Sequence, residues 1–361
     1  MAGNPEMSTS EMPEPVKPIP KDAFANQQLD LFQSFLANTD EDRNALSNSV
    51  DLWDAIPRYT VSRARQNRMR TAEGFLDVLE IPFHYRKRQL TALIYPARIM
   101  GKNGKRVSYY PSAREELIEH ALRKISVEQL AGFYHQPTSR SGTRFSLHQL
   151  RAELAQQDHT LRYDELTEGL DILSLSAIEI RSVSEDGEEA FARSNYLGAL
   201  TGVKRKDYDA DRTARWAVQF HPLVTQSIER VAYRQMNYQR LMKCKTQIAR
   251  WLLAQLILKY TQAAPTNSFQ IRYSTIKRDS SMLHGYMADR QAIAKLDEAW
   301  KELKDLGAVS IIERADHRGK HAKLEDVTYT IYPSREFVSE QKAANRRQGD
   351  GKTLAGQDIL G

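Results

Sequence analysis

Between Met287 and Lys295 the sequence reads MADRQAIAK. At helical spacing, Met287, Arg290, Gln291, Ala294 and Lys295 share one side, while Asp289, Ile293, Leu296, Trp300 and Leu303 form an inward stripe on the other. The first set suits the edges of DNA bases. Arg290 can donate a bidentate pair to guanine, and Gln291 can pair with adenine. Ala294 can touch a thymine methyl, and Lys295 can reach a base or a phosphate. The competing reading is an ordinary solvated helix face. The elements around the helix decide between the two.

Those elements follow a plan. KCKTQIARWLLAQLILKY predicts a long helix with Ile248, Trp251, Leu252, Leu256 and Tyr260 on a broad apolar face. SFQIRY predicts a strand, STIKRDSS a short helix and MLHG a turn. The helix carrying Arg290 then closes at Gly307, and AVSIIERADHRGKHAKLEDVTYTIYP reads as a hairpin with a basic tip. A helix entering the major groove N-terminal end first, with a basic hairpin beside it, is a winged helix-turn-helix. The hairpin residues His317, Arg318, Lys320, His321 and Lys323, with Lys277 and Arg278 before the turn, are the expected contacts to phosphate or minor groove.

A similar order occurs upstream. FLDVLEIPF, LTALIYPARIM and RVSYYP read as strands. REELIEHALRKI is a helix with one apolar stripe. Ser146 and Gln149 make a capping box for a helix carrying Leu147, Leu150 and Leu154. LRYDELTEGLDILSL is a third helix, and AIEIRSV with AFARSNYLGAL a hairpin. The third helix exposes Arg162, Asp164, Glu165 and Glu168, a poor surface for phosphate. This unit would touch DNA through Arg140, Arg144, Lys204, Arg205 and Lys206, or serve to pair subunits.

The expected fold is therefore α+β, with two tandem winged helix-turn-helix domains. The expected boundaries are an acidic, largely disordered arm over 1–56, a basic linker over 57–74, a first domain over 75–215, a second over 216–335 and a disordered tail over 336–361. Charge follows these divisions. Residues 1–56 hold 3 Lys/Arg against 10 Asp/Glu, and residues 57–106 hold 12 against 3. Residues 240–323 hold 16 against 8, so the basic blocks point to a nucleic-acid partner. In the linker, Arg63, Arg65, Arg68 and Arg70 could follow phosphates or enter a minor groove, or simply be solvated.

No enzyme chemistry is evident. GKNG, from Gly101 to Gly104, lacks P-loop spacing. His317 and His321 flank a loop with no third ligand nearby, and no nucleophile–base set stands out. No catalytic residue, metal or cofactor is expected. The one cysteine, Cys244, excludes an internal disulfide and reads as a packed thiol. The best apolar run, IARWLLAQLILKY, is short and broken by Arg250 and Gln255. The N-terminus does not read as a secretory signal, so a cytoplasmic protein with no membrane partner is expected.

One stretch remains. Gln28-Leu29-Asp30-Leu31-Phe32 lies in the acidic arm, where apolar residues need another protein's pocket or their own domain's surface. Together with RFSLHQLRAEL and EAWKELKDLGAV, from Glu298 to Val309, it carries a resemblance. The sequence resembles the RepA/TrfA-type replication initiators of iteron-containing bacterial plasmids over residues 26–335. The resemblance implies binding of double-stranded direct repeats at a plasmid origin, opening of adjacent DNA and a homodimer that is inactive in initiation. It also implies copy control and contacts with a host initiator and replicative helicase. Gln28–Phe32 looks like the peptide that bacterial proteins insert into the DNA polymerase sliding clamp. Gln28 would bond a polar notch, Leu29 cover the rim, Leu31 and Phe32 fill the pocket, and Asp30 stay in water. The alternative function is a winged-helix transcriptional autorepressor without a replication role.

Overall fold

The computed structural model describes residues 46–354, except 87, 102–103, 128–130, 136–137, 139, 184–186 and 203–214. Gln28–Phe32 and Lys204–Lys206 lie outside the described residues.

Order begins earlier than composition suggests. Strand β1 (Leu46–Val50) runs antiparallel to a strand far along the chain, β12 (Tyr233–Asn237). Helices α1 (Asp51–Ala55) and α2 (Arg63–Met69) follow it. Residues 46–56 are thus folded, not part of a disordered arm, and 57–74 is not a plain linker. The reason is LWDAIPRYTV: Trp53, Ile56, Tyr59 and Val61 enter the core together and carry Arg58 in with them. Arg58 is tolerated because it bonds Asp54 at 3.1 Å and Glu119 at 3.2 Å and lies 4.1 Å over the Trp53 ring.

Around this segment two antiparallel sheets form. One runs β2 (Leu79–Tyr85), β3 (Arg88–Tyr95), β8 (Ala177–Val183), β9 (Glu189–Asn195). Its β8–β9 hairpin pairs Ala177 with Asn195 and Val183 with Glu189, as the AIEIRSV pattern predicts. The other runs β10 (Leu197–Thr201), β11 (Arg215–Phe220), β7 (Arg140–Ser146), β6 (Gly132–His135). A small antiparallel pair is formed by β4 (Ala97–Met100) and β5 (Arg106–Tyr109). Helices α3 (Ala113–Val127), α4 (Leu147–Gln156) and α5 (Tyr163–Leu175) pack on one another. The Ser146 hydroxyl accepts the Gln149 N–H at 3.0 Å and starts α4.

Helix α3 departs from its expected single stripe. Glu115, Glu116, Glu119, His120, Arg123 and Lys124 are all buried. Arg123 forks onto Asp54 at 2.8 and 2.9 Å, and the Trp53 indole donates to Glu119 at 2.6 Å. Burial opposes ionisation of Asp54, but Arg123 and Arg58 outweigh it and hold the carboxyl well below the usual range. Burial and Arg123 push His120 down to about 3, and burial with Arg58 does the same to His221, which is stacked on Trp53 with ring centroids 4.3 Å apart. These histidines fold neutral, so their contribution is complete above the unfolded pKa near 6.5. It is lost as pH falls and the unfolded chain takes up protons. Stability should decline by about 1.4 kcal/mol per pH unit per histidine between pH 6.5 and about 3. Urea melts across that range check this, and His221→Phe should shallow the slope.

The second unit starts later than expected. One core gathers buried residues from Val50 to Met242, another from Met236 to Val338. The changeover lies near 236–242 rather than at 215–216, because β11 completes the sheet of β7 and β12 pairs with β1. After α6 (Pro222–Glu229) and β12 comes α7 (Tyr238–Lys243), a helix the sequence pattern did not show; the long helix expected over Lys243–Tyr260 is α8 (Gln247–Lys259), starting four residues late. Thr246 divides them, its hydroxyl accepting the Ala249 N–H at 3.2 Å. Cys244 sits in the break, buried, its thiol pushed up to about 12 by burial. Then come β13 (Phe269–Arg272), α9 (Tyr273–Ser280), a 3-10 turn at Leu283–Gly285, α10 (Asp289–Asp305), and β14 (Val309–Arg318) with β15 (Leu324–Pro333). The three strands form one sheet in the order β13, β15, β14. Gly307, at φ +69°, ends α10 as expected.

Residues Arg335–Leu354 form helix α11 where a disordered tail was expected. Ser334 caps it, accepting the Phe337 N–H at 3.0 Å, and Phe337, Val338 and Ala344 are buried. The rest of its inner face is polar and docks by hydrogen bonds. Gln341, Gln348 and Asn345 all accept from Arg234 of β12, and Glu340 accepts from Asn237 at 2.9 Å.

Candidate nucleic-acid interface

Helix α10 is positioned by its buried stripe. Ile293, Leu296, Trp300 and Leu303 are each at most 4 % exposed. Asp297 fixes its rotation, accepting from the Tyr329 hydroxyl at 2.7 Å and from Arg314 at 2.6 Å, both on the hairpin strands. Asp289 is a correction to the expected stripe. Its side chain is 62 % exposed and accepts from Lys277 at 2.6 Å and Tyr273 at 2.7 Å. Hydrogen bonds from Lys277 and Tyr273, with Lys323 nearby, hold its carboxyl below the usual range. A charged group at the first helical residue is better placed in water than in the core.

The opposite face is open. Met287 is 98 % exposed, and Arg290, Gln291, Ala294 and Lys295 are exposed beside it. Lys295 pairs with Glu298 at 2.7 Å. The side chains of Arg290 and Gln291 have no partner among the described residues, so both are available to a ligand. Lys323, at the tip of the β14–β15 hairpin, is close enough to Asp289 to add to the lowering of its carboxyl pKa. On the hairpin, His317 bonds Thr328 at 2.7 Å and Arg318 bonds Asp316 at 3.2 Å. Lys320 and His321 are exposed at its tip, with His321 in the left-handed region at φ +58°.

The expected basic residues divide. Arg65 and Arg68 of α2 line a groove of about 360 Å³ with Thr246, Gln247, Tyr286 and Lys295, so the first unit brings two arginines beside α10. Arg63 and Arg70 are held elsewhere. Arg63 bonds Glu115 at 2.9 Å, Arg70 bonds the Ser108 carbonyl at 2.8 Å, and both guanidiniums stack on Tyr109. Arg278 chelates Asp279 at 2.7 and 3.0 Å and faces a different cleft. Arg140 and Arg144 are exposed on β7, Arg144 lying 5.7 Å from the Phe133 ring. On α5, Asp164 and Glu165 pair with Arg162, and Glu168 with Arg114 at 2.8 Å, which leaves no spare cation there. Sequence reasoning missed Thr246, Gln247 and Tyr286. Only Thr246 as a possible N-cap for α8 could have pointed to the first two, and the exposed aromatic in HGYMADR to the third.

No protein-family model matches the sequence, and no curated protein matches it. Among solved structures, a selenomethionine derivative of domains 2 and 3 of RctB is similar at 9 % identity and TM-score 0.48, covering 79 % of this chain and 98 % of that one. A second structure of RctB domains 2–3 gives 10 % and 0.43, covering 77 % and 98 %. The Pi initiator protein in complex with iteron DNA gives 12 % and 0.40, covering 67 % and 98 %. At these values the likeness stands as similarity and carries no assignment.

Among the described residues, no group of three or more His, Cys, Asp or Glu side chains is placed to hold a metal ion. No helix among them is long and apolar enough to cross a membrane.

Proposed function

We propose that this chain is a non-enzymatic replication initiator that binds repeated double-stranded DNA through two tandem winged helix-turn-helix units. The observation that carries the reading is the open face of α10, where Arg290 and Gln291 stand free opposite a fully buried stripe. The basic wing and the Arg65–Arg68 groove flank that face and suit phosphates. The second unit reads bases. The first adds backbone contacts and, through surfaces such as the charge-balanced α5, pairs subunits in an inactive dimer. Footprinting on DNA flanking its own gene tests the reading. Direct repeats at about 22 bp phasing, roughly two turns, would support it, and protection without repeats would count against it.

Two further outcomes are expected. The Arg65→Ala/Arg68→Ala double variant should bind all DNA sequences more weakly, and the slope of log K against log salt should fall by about 2. An unchanged slope would remove the groove from the interface. Gln28–Phe32 supports contact with the sliding clamp through its residue types. Leu31→Ala with Phe32→Ala should abolish clamp pull-down and leave repeat binding intact. Clamp binding that survives would overturn that assignment and leave the host initiator and helicase as the partners to test.

A further inference from the structure

A cleft of about 970 Å³ opens between the two units, lined by the β2–β3 turn, α6 and the ends of α8, α9 and α11. Its cations are Arg86, Arg230, Arg234, Lys259, Arg278 and Lys352, and its carboxylates only Asp51 and Asp279. Arg86 is bonded to Asp51, and Arg278 to Asp279. The other four cations have no carboxylate within ion-pair distance among the described residues.

Arg234 is the unusual one. It is 7 % exposed, and its guanidinium donates to the amide oxygens of Gln341 at 3.0 Å and Gln348 at 3.3 Å and to Asn345. Its Nε is buried with no partner. Amides supply dipoles and no charge, and Asp51, already bonded to Arg86, acts on Arg234 only from beyond ion-pair distance, so this buried cation has no paired carboxylate, an arrangement that is costly unless something charged completes it. Val231, a cleft residue at φ +50°, is a β-branched residue in the left-handed region. Strain of this kind concentrates at ligand clamps.

We propose that this cleft binds a small phosphorylated molecule whose diphosphate group is seated by Arg234, Arg230, Lys259 and Lys352. Four cations without a paired carboxylate suit a multiply charged anion better than a single carboxylate, and a guanidinium matches phosphate oxygens. Leu52, Leu223, Leu258 and Tyr85 give the cleft an apolar wall for the rest of the molecule. A duplex is excluded by the depth of Arg234, because DNA reads exposed side chains. Both units and α11 line the site, so occupancy stiffens their junction. The inference does not depend on the proposed DNA role.

The test is thermal unfolding of the full chain, without DNA, in pyrophosphate or ADP. Either probe should raise the midpoint saturably by at least about 3 °C. ADP acting well below pyrophosphate would support a phosphate ester as the occupant, and equal potency an inorganic one. The rise should vanish in Arg234→Met and in Arg230→Glu/Lys352→Glu. Should Arg234→Met fail to fold, the second variant decides, since Arg230 is exposed and Lys352 half-buried. No shift with either probe, the same shift in the variants, or the same shift from sodium chloride at matched ionic strength would overturn the proposal. Stabilisation by a peptide of residues 1–45 at lower concentration than either probe would overturn it too, in favour of an acidic segment.

Discussion

Arg290→Ala is expected to weaken binding to a specific origin repeat by about 1–3 kcal/mol and to relax sequence choice at one base pair. In the free protein the Arg290 side chain is exposed and makes no bond among the described residues. Its removal should therefore leave urea stability within about 0.5 kcal/mol of the parent. Any large effect belongs to the ligand. Titration against the repeat, a repeat with one changed guanine and an unrelated duplex separates the possibilities. Base readout costs affinity on the first and little on the others. Equal losses on all three would make Arg290 a phosphate contact. Lys295 makes a useful comparison, because part of its charge is already spent on Glu298.

The second large effect lies far from that face. Arg123→Met should destabilise the protein by about 3–5 kcal/mol, because it strands Asp54 in a site closed to water. Arg123 is 1 % exposed and makes two bonds to Asp54. Arg58 remains as a partner of Asp54 but is shared with Glu119. The double change Asp54→Leu/Arg123→Met should recover much of the loss, since an apolar pair does not need the other charge. Urea unfolding of the three variants gives the answer. A single-variant loss below 1 kcal/mol would mean that water reaches the network.

The second unit was the more legible in the chain. Ile293, Leu296, Trp300 and Leu303 repeat at helical spacing without interruption, Gly307 supplies the stop, and the hairpin alternates, so local physics and final structure agree. The open face of α10 followed from the buried stripe opposite it. The first unit was harder because its organising contacts are distant. Asp54 lies four residues before Arg58, but nothing nearby announces that the second partner is Glu119, 61 positions on, and an arginine in a basic run reads as solvated. Helix α3 hid its burial behind charged residues for the same reason. Helix α11 was missed because composition weighs apolar content, and its docking rests on Gln341, Asn345 and Gln348 meeting Arg234. Asp289 shows the opposite error. Spacing alone put it in the core, and its charge kept it out.

The pairing of β1 with β12 has a kinetic consequence. Leu46 lies opposite Asn237, across 191 positions of chain. A strand made early must therefore wait for a partner made much later, and closing so long a loop slows the search. During synthesis the first unit can gather its helices but cannot seal this edge until residue 237 has emerged. Helix α11, made later still, then bolts onto that same strand through Arg234. Folding should show a slow step shared by both units, and a chain halted before residue 237 should present an open β-edge on which chaperones or aggregation can act.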